Sequence, residues 1–564
     1  MTITDLKLKS YQIVLLVFLS GCAISALTLP KYGITWDEPE GFFDGVVKIS
    51  QWLDDFSGRI VQHDFQSAFS KQFTRHYWPP PTPATQEVTF YNNHPPVPRI
   101  CGYCMWRLCG KYFGDVISMR LASCIAYGLM LAIIFIWVKE VSIAIGLFAV
   151  FFAVTIPRLF AFSHFLTTEM FLACFWIMVS YSFWRAIKLQ SPAWFLAGWL
   201  LFGLAVNVKF TSLIIPVPIF IFLAMKNRRQ IKGWIVWMPA CVPIIYLMNP
   251  TWWHDPFVTF FKNHIQLSLS RTSYLNISTF YFGEITDHAP WHYPLVMTVF
   301  TLPAIMLFFS ICSLKFLVGK NSFSDILLYW WLNIALLLLI VCFPLAPRYD
   351  GVRLFLPIFP FLAMAASIPA HRLVRKIRSM IRRKRFCALI TALLVACLVT
   401  HQVMQVWLYR PYQLSYYNEL AGGISGANRL GMEPTYWLEA VTPEFIQKIN
   451  QLMASDSTLS IYPYGIPILQ YYQKSNMLRQ DIKIQKSIKA EHIILVNRKS
   501  TRSVDAYKWF SKNNYICKNS VNLFGVPLVW FFCLDDDADK FNELNFKSLT
   551  YKGNNACIYY YTGM

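Results

Sequence analysis

Residues 11–41 read YQIVLLVFLSGCAISALTLPKYGITWDEPEG, an apolar run followed closely by an acidic motif. The apolar part, residues 11–29, has about the 20 residues that an α-helix needs to cross a bilayer. The motif at 35–41, TWDEPEG, places three carboxylates within four residues, and its flanking glycines and its proline exclude a strand or a long helix. The stretch predicts a membrane helix that leads into an acidic loop at the membrane surface. A solvated loop that caps an amphipathic helix is the simpler alternative.

The rest of the chain is also apolar. Of its 564 residues, 55% are hydrophobic and 14% are charged, and the mean hydropathy is +0.40, a combination that is rare in soluble proteins. Apolar runs recur near residues 116–138, 141–157, 165–184, 194–208, 212–225, 233–249, 294–313, 325–343, 354–370 and 387–408. Together with the first run, they predict an α-helical polytopic membrane protein with about eleven transmembrane helices.

Basic residues are concentrated in short clusters between these runs. The net charge is +21, and dense clusters lie at residues 226–232 and 372–385. Such clusters mark cytoplasmic loops. We therefore expect the N-terminus to be cytoplasmic, and the long first loop (30–114) and the chain after residue 409 to face outward. A nucleic-acid groove would interleave basic and aromatic residues on a soluble face, and the sequence has no such pattern.

The chain after residue 409 has a different composition, with mixed charge and short β-rich runs. Strands are predicted at 459–464, 492–496, 526–534 and 558–561, and a helix at 443–453. We expect a membrane domain over residues 1–409 and a small extracytoplasmic α/β domain over residues 410–564. Neither GxGxxG nor GxxxxGKS/T occurs, so the sequence gives no sign of a nucleotide site.

Carboxylates and cations both fall at the outward ends of the predicted helices, where charge is costly unless it faces a cavity or a partner. Asp37 is placed to take a proton from an incoming hydroxyl, with Glu38 as an orienting neighbour, although either member of so close a pair could hold the proton. Lys209, Arg348 and Arg353 form a candidate phosphate site. For Lys209 and Arg353, snorkelling to lipid headgroups is the alternative. The combination predicts sugar transfer from a lipid-linked phosphate donor to a hydroxyl, which requires neither a nucleotide nor an obligatory metal.

Further polar residues at the same level are candidates for the pocket lining: His94, Glu169, His292, Tyr349, Asn418 and Glu419. For His94, the alternative is a turn histidine held by the two prolines that follow it. For Asn418 and Glu419, the alternative is a cap where the tail leaves the last membrane helix.

Several motifs, taken in order, resemble the GT-C membrane glycosyltransferases, specifically the protein O-mannosyltransferase and aminoarabinose transferase group. They are WDE at 36–38, HPP at 94–96, GLAVNVKF at 203–210, PWHYP at 290–294, PRY at 347–349, YYNELAGG at 416–423 and TYW at 435–437. The resemblance implies an inverting transfer from a polyprenyl-phosphate sugar to a hydroxyl on protein, lipid A or a glycan, in the bacterial inner membrane. It implies that Asp37 is the base or an acid that positions the acceptor. Relatives often have Asp where this chain has Thr168-Glu169, so the role of Glu169 stays open.

The resemblance implies no obligatory cofactor, although some relatives bind a divalent metal through outward His and Glu residues. The sequence does not identify such ligands here. The CxxC at 101–104, with Cys109 after it, has redox or metal spacing, but no second CxxC accompanies it. Two of Cys517, Cys533 and Cys557 could pair in an extracytoplasmic domain.

Two other functions remain as alternatives. A transporter or lipid flippase would need no covalent chemistry, but transporters often have two related halves and helices broken at the bilayer midplane, and neither feature is clear here. A structural or assembly subunit with a degenerate site is the other alternative. The intact Asp37-Glu38 pair counts against it.

Overall fold

The computed structural model describes residues 10–43, 45–46, 95–248, 277–317, 323–380, 384–487 and 489–535. His94, Cys557 and the predicted strand at 558–561 lie outside these residues.

Every apolar run of the described membrane region contains α-helix. Its helices are α1 (Ser10–Thr28), α2 (Val97–Phe113), α3 (Asp115–Val138), α4 (Ile143–Val154), α5 (Pro157–Phe162), α6 (Thr168–Leu189), α7 (Pro192–Val206), α8 (Pro216–Lys226), α9 (Ile231–Val236), α10 (Cys241–Met248), α11 (Tyr293–Thr301), α12 (Ala304–Ser313), α13 (Ser324–Cys342), α14 (Ile358–Met380) and α15 (Lys384–Leu408). The predicted fold class, a polytopic α-helical membrane protein, is confirmed.

Within the described residues, 6 segments are long and apolar enough to cross a membrane. They are Ser10–Lys31, Asp115–Val138, Thr168–Leu189, Arg228–Met248, Ser324–Cys342 and Thr391–Leu408. A seventh span is possible if Tyr293–Thr301 and Ala304–Phe316, which meet at 115°, cross together. The remaining predicted spans coincide with shorter helices or with α14, so the total of about eleven stays a prediction.

The stretch predicted as the first loop contains a helix near its end that the sequence did not indicate. Residues 97–113 form α2, with Pro98 in its first turn. The helix mixes Arg, Lys, Cys and Gly with aromatic residues, so it has no long apolar run that would mark it in the sequence. Leu108 and Tyr112 on this helix are 69% and 76% exposed.

Helix α1 packs closely against α3 because two glycines meet at their crossing. A Cβ placed on Gly128 would lie 2.7 Å from the carbonyl oxygen of Phe18, and one placed on Gly21 would lie 3.0 Å from Cα of Gly128. Small residues let membrane helices approach to backbone contact. Leu27 on the outer face of α1 is 79% exposed, as suits a side chain that faces lipid.

The charged helix ends sort to opposite ends of the bundle. One end, called the basic end below, contains these contacts: Lys139 with Ser10, Glu140 with Arg185 and Lys188, and Lys226 with Asp325. The other end, called the site end below, carries the acidic motif at 35–41 together with Glu169 and Lys209. Arg372, from the second predicted basic cluster, packs over Phe323, two residues before Asp325, so both clusters reach this end. This grouping agrees with the predicted topology, and the orientation in a membrane stays a prediction.

The C-terminal region contains a five-stranded sheet with the strand order β4-β3-β5-β7-β6. Its strands are β3 (Thr458–Tyr462), β4 (Lys483–Ile484), β5 (His492–Val496), β6 (Tyr515–Leu523) and β7 (Val526–Leu534), while β1 (Thr279–Tyr281) and β2 (Glu284–Thr286) form a separate hairpin before α11. Strands β4, β3 and β5 are parallel, and β7 pairs antiparallel with both β5 and β6.

Helices α16 (Gly423–Arg429), α17 (Pro443–Asn450), α18 (Ile466–Lys474) and α19 (Ser503–Lys512) complete this region. The small C-terminal α/β domain is confirmed: strands lie at the three predicted strand runs that the structure describes, and a helix lies within the predicted helical run 443–453. The sequence missed β6, which reads YICKNSVNL and lies at the sheet edge with much of its surface exposed. A strand in that position needs no alternating apolar pattern.

The segment after α1 lies between the helix bundle and the C-terminal domain. The Trp36 backbone N–H donates to the Trp437 carbonyl at 2.8 Å, and the Ile34 N–H donates to the Tyr472 hydroxyl at 3.0 Å. A Cβ on Gly33 would lie 2.6 Å from the carbonyl oxygen of Val441, so this close approach needs glycine. The acidic motif is therefore held at the junction of the two domains.

Candidate active site

Glu38 is a fully buried carboxylate whose oxygens are saturated with hydrogen bonds. Arg120 donates to it through Nε at 2.7 Å and Nη2 at 2.5 Å. The Thr35 N–H and hydroxyl donate at 2.9 and 3.0 Å, and the Leu166 N–H donates at 2.9 Å. The side chain has 0% exposure. The structure therefore does not place Glu38 where a substrate could reach it, and its contacts fit the orienting role.

Asp37, the next residue, faces the other way and is 22% exposed. The helical turn Glu38–Phe43 that follows begins with the Gly41 N–H donating to the Asp37 carbonyl at 3.0 Å. The Asp37 carboxylate accepts a short hydrogen bond from Nη2 of Arg353, which lies 316 positions away in the chain. The predicted meeting of an early carboxylate with a distant guanidinium is present in the structure.

Arg353 has a carboxylate on each of its three nitrogens. Besides the contact of Nη2 with Asp37, Nε lies 3.1 Å from Oε1 of Glu169 and Nη1 lies 3.2 Å from Oδ2 of Asp350. Its guanidinium carbon lies 4.6 Å from the centre of the Trp437 ring, within the range of a cation–π contact. A guanidinium with this fork geometry can exchange a carboxylate for a phosphate group.

Glu169 and Lys209 complete the membrane side of the cluster. Lys209 Nζ donates to Oε1 of Glu169 at 2.9 Å, so this oxygen is shared between Lys209 and Arg353. Glu169 lies in the first turn of α6, where the N-terminal helix dipole favours a carboxylate. The structure thus supplies a place for Glu169, whose role the sequence left open.

Asp350 connects the cluster to the C-terminal domain. Its Oδ1 accepts from Nη2 of Arg498 at 2.9 Å, and its Oδ2 accepts from the Trp437 indole N–H at 3.1 Å. The guanidinium carbon of Arg498 lies 5.5 Å from the centre of the Trp36 ring. Each of the two arginines that bind Asp350 therefore packs on a tryptophan.

The cluster is balanced in charge. Asp37, Glu169 and Asp350 supply three carboxylates, and Lys209, Arg353 and Arg498 supply three cations: these six side chains form one connected set of ion pairs. Burial raises the pKa of Asp37; the Arg353 guanidinium opposes this shift, and the Glu169 and Asp350 carboxylates add to it. A carboxylate with a raised pKa is a better proton acceptor than an ordinary aspartate.

Arg348 was predicted to bind phosphate, but the structure engages it elsewhere. Its guanidinium donates to backbone carbonyls, among them Ala289 and Phe343 at 2.6 Å each. Among the contacts of the described residues, none joins it to the cluster. Arg348 and Arg353 lie five positions apart in one loop, and the path of that loop turns only Arg353 toward Asp37.

Tyr349 and His292 lie around the cluster at different distances. The guanidinium carbon of Arg353 lies 6.0 Å from the Tyr349 ring centre, so Tyr349 lines the cluster as predicted. His292 instead contacts Tyr281, with its Nδ1 lying 2.9 Å from the tyrosine hydroxyl. The described contacts of His292 do not include the charged cluster.

Asn418 is the cap that its simpler alternative predicted, and Glu419 lies on the surface. The Asn418 amide donates to the Val299 and Leu302 carbonyls at 2.6 Å each, and its Oδ1 accepts from the Leu420 N–H at 3.0 Å. It caps the turn Glu419–Ala421 and ties that turn to the break between α11 and α12. Glu419 pairs with His401 at 2.9 Å on the surface. The pocket-lining prediction is therefore not supported for either residue.

Four residues of the site were not predicted as site residues from the sequence: Arg120, Asp350, Trp437 and Arg498. Asp350 adjoins the predicted PRY motif and Trp437 ends TYW, so those motifs were a signal that a broader search could have used. Arg120 and Arg498 carry no local signal, because their partners lie 82 and 148 positions away.

In the described ranges, no group of three or more His, Cys, Asp or Glu side chains is arranged to hold a metal ion. The possible divalent metal therefore remains untested. Cys101, Cys104 and Cys109 are free thiols on α2, and Cys517 and Cys533 lie on the neighbouring strands β6 and β7.

Comparison with known proteins bears on this site. Residues 93–254 match the model of the family described as dolichyl-phosphate-mannose-protein mannosyltransferase. This segment has the sequence character of that family. It contains Glu169 and Lys209, and the resemblance seen in the motifs is confirmed over these residues.

Two solved structures are similar to nearly the whole chain: ArnT from Cupriavidus metallidurans bound to undecaprenyl phosphate, and the same protein in the apo state. They are 13% and 12% identical to this chain, each with a TM-score of 0.47, and each alignment covers 93% of this chain and 98% of theirs. No curated protein matches the chain significantly.

Proposed function

We propose that this protein is an integral-membrane glycosyltransferase that moves a sugar from a polyprenyl-phosphate donor to a hydroxyl acceptor. One observation carries the proposal: Asp37, Glu169, Lys209 and Arg353 converge at one end of an apolar helix bundle. Charges at the edge of a bilayer are costly and usually serve a substrate or a partner. A lipid-linked donor would keep its tail in the bilayer and present its phosphate at this height. The family match over residues 93–254 supports the same chemistry.

In the proposed reaction, Asp37 takes the proton of the acceptor hydroxyl as its oxygen attacks the anomeric carbon. The bond between that carbon and the phosphate oxygen breaks, and its electron pair leaves with the polyprenyl phosphate. Arg353 and Lys209 stabilise the negative charge on the departing phosphate. One displacement inverts the anomeric configuration.

Donor binding would also prepare Asp37 for this role. Arg353 contacts Asp37 through Nη2, and a phosphate that binds Arg353 competes for that nitrogen. Loss of the guanidinium partner and the arrival of a second anion both raise the pKa of Asp37. The carboxylate then becomes a stronger base when the donor is in place.

The proposed orientation puts the basic end in the cytoplasm and the site end at the outer face of the bacterial inner membrane. The C-terminal domain would then be periplasmic, and the acceptor would be a hydroxyl of a protein, lipid A or another glycan. The transferred sugar would be a hexose or a pentose. The proposed displacement at the anomeric carbon uses no cofactor.

The test is transfer from synthetic polyprenyl-phosphate hexose and pentose donors by purified protein, with the products identified by mass spectrometry. Comparing the surface glycans of a deletion strain with those of its parent would identify the acceptor for this assay. We expect a glycosylated acceptor and free polyprenyl phosphate in equal amounts. Lipid flux in liposomes without any covalent product would instead support a flippase and contradict the proposal.

A further inference from the structure

Asp350 lies between two arginines that belong to different domains. Arg353 follows it in the membrane domain, and Arg498 reaches it from the C-terminal domain. The Asp350 side chain is 6% exposed and both arginine side chains are 9% exposed. These ion pairs are therefore buried. A surface ion pair, in contrast, contributes little to stability.

The loop that carries Arg498 is fixed by hydrogen bonds from several directions. The Glu433 carboxylate accepts from the backbone N–H groups of Lys499 and Ser500, at 2.5 and 2.9 Å. Arg498 itself donates through Nη1 to the Tyr436 carbonyl at 2.5 Å. The guanidinium thus has little freedom to move away from Asp350.

The loop that carries Asp350 has an unusual backbone that turns the carboxylate inward. Asp350 and Gly351 have φ values of 53° and 68°. A Cβ on Gly351 would lie 2.6 Å from Nη1 of Arg158, and its N–H donates to the Tyr293 hydroxyl at 2.9 Å. Left-handed backbone at a non-glycine residue persists only where surrounding contacts hold it. The Arg498 ion pair is one of those contacts.

We propose that Arg498 is a positioning residue of the membrane site, acting through Asp350 to hold Arg353 in the orientation that faces Asp37. This inference rests on the proposed function of that site. It makes the C-terminal domain a required part of the active site, in addition to any part it has in selecting the acceptor. Arg498 itself does not contact the donor phosphate.

The charge balance sets the consequences of losing Arg498. Without it, the Asp350 carboxylate keeps Arg353 and the Trp437 indole as partners and competes more strongly with Asp37 for the guanidinium. The uncompensated negative charge on Asp350 also raises the pKa of Asp37. Removal should therefore reduce kcat and move the acidic limb of the pH–rate profile to higher pH.

The experiment compares Arg498→Gln, Arg498→Lys and Arg479→Gln in the full-length protein. Arg479 is the matched control: it pairs with Asp481 and donates to the Met453 carbonyl at 2.8 Å in the same domain, so its loss tests domain integrity alone. For Arg498→Gln we expect kcat to fall by up to about 10²-fold, as for a displaced catalytic group, with the acidic limb shifted upward. Arg498→Lys should restore the position of the acidic limb, with only part of kcat, because ammonium lacks the fork.

A double-mutant cycle and a binding assay separate this inference from the function. In an Asp350→Asn background, Arg498→Gln should cause no further loss, since the proposed path runs through Asp350. Full transfer in Arg498→Gln, or an additive loss in the double variant, would overturn the inference and leave the proposed function standing. Binding of polyprenyl phosphate alone, measured by native mass spectrometry, tests the positioning role without sugar transfer. The proposed function fails but the positioning role stands under three results together: the wild type binds this lipid, Arg498→Gln binds it more weakly, and neither the wild type nor any variant transfers sugar. Absence of both binding and transfer overturns both.

Discussion

Asp37 and Glu38 are adjacent carboxylates in opposite environments. Glu38 has no exposed surface and accepts hydrogen bonds from Arg120, Thr35 and Leu166. Asp37 is 22% exposed, and it meets a guanidinium that is shared with Glu169 and Asp350. The Glu38–Arg120 ion pair is closed to solvent and fixes the loop. The Asp37 carboxylate is partly open to solvent and shares its cation, so it can exchange Arg353 for a substrate. The closed pair therefore supplies the rigid support that holds the open one in place.

The largest expected effect is on catalysis at the open carboxylate. Asp37→Asn removes the proposed base, so the transfer rate should fall by about 10²–10⁴-fold. Thermal stability should change little, because Arg353 keeps Glu169 and Asp350 as partners. The measurement is the single-turnover rate of sugar transfer, with the melting temperature of the same preparation as the folding control. Undiminished transfer in this variant would remove Asp37 from the mechanism.

The closed carboxylate should respond in stability. Glu38→Gln leaves the buried Arg120 without its counter-charge, and breaking a buried ion pair costs about 3–5 kcal/mol. We expect a strong loss of thermal stability in detergent. Glu419→Gln is the matched control, since the same substitution at the exposed His401 pair should cost no more than about 1 kcal/mol. Equal melting temperatures for the two variants would refute the contrast between closed and open sites.

A smaller effect should distinguish Lys209 from Arg348, two members of the predicted phosphate site. Lys209→Gln removes a cation that contacts Glu169 inside the cluster, so the KM for the lipid-phosphate donor should rise about tenfold. Arg348→Gln removes a guanidinium that contacts backbone carbonyls outside the cluster, and the donor KM should stay unchanged. Steady-state kinetics with varied donor measures both. A larger rise for Arg348→Gln than for Lys209→Gln would reverse our assignment of the two residues.

The smallest effect concerns a third carboxylate, Glu433, which is buried like Glu38 but is held by backbone N–H groups. Burial raises the pKa of Glu433 to about 7, against about 4.3 in an unfolded chain. Between these values the folded protein binds the extra proton, so this group lowers the free energy of unfolding as pH rises from about 4.3 to about 7.

The corresponding variant is Glu433→Gln, which does not titrate. The melting temperature of the wild type should therefore fall more between pH 5 and pH 8 than that of the variant, by about 2–4 °C. Melting curves recorded at both pH values in one detergent provide the comparison. Parallel pH dependence in the two proteins would contradict the assignment of a near-neutral pKa to Glu433.

The sequence predicted the fold well because hydropathy is a local property. Each apolar run contains α-helix in the described residues, and the basic clusters lie at one end of the bundle as positive-inside loops should. Helix α2 was not predicted because charged residues interrupt its apolar surface, and β6 was not predicted because it is a polar edge strand. Both elements are stabilised by tertiary contacts that no window of sequence displays.

The site was predictable in part, for a related physical reason. Asp37, Lys209 and Arg353 stood out because charge at a helix end in an apolar chain is unusual. The contacts that sort them are long-range, as in the pairing of Arg353 with Asp37 across 316 positions. Arg348 has the same chemistry as Arg353, and only the backbone path of their loop separates a cluster residue from one that binds carbonyls.

The most direct test of the central claim is a structure of the protein with polyprenyl phosphate bound in a lipid nanodisc. Our account predicts the phosphate at the site end, within hydrogen-bond distance of Arg353 and Lys209, with Asp37 released from Arg353. A phosphate bound only at the basic end, near Arg185 and Lys188, would contradict it.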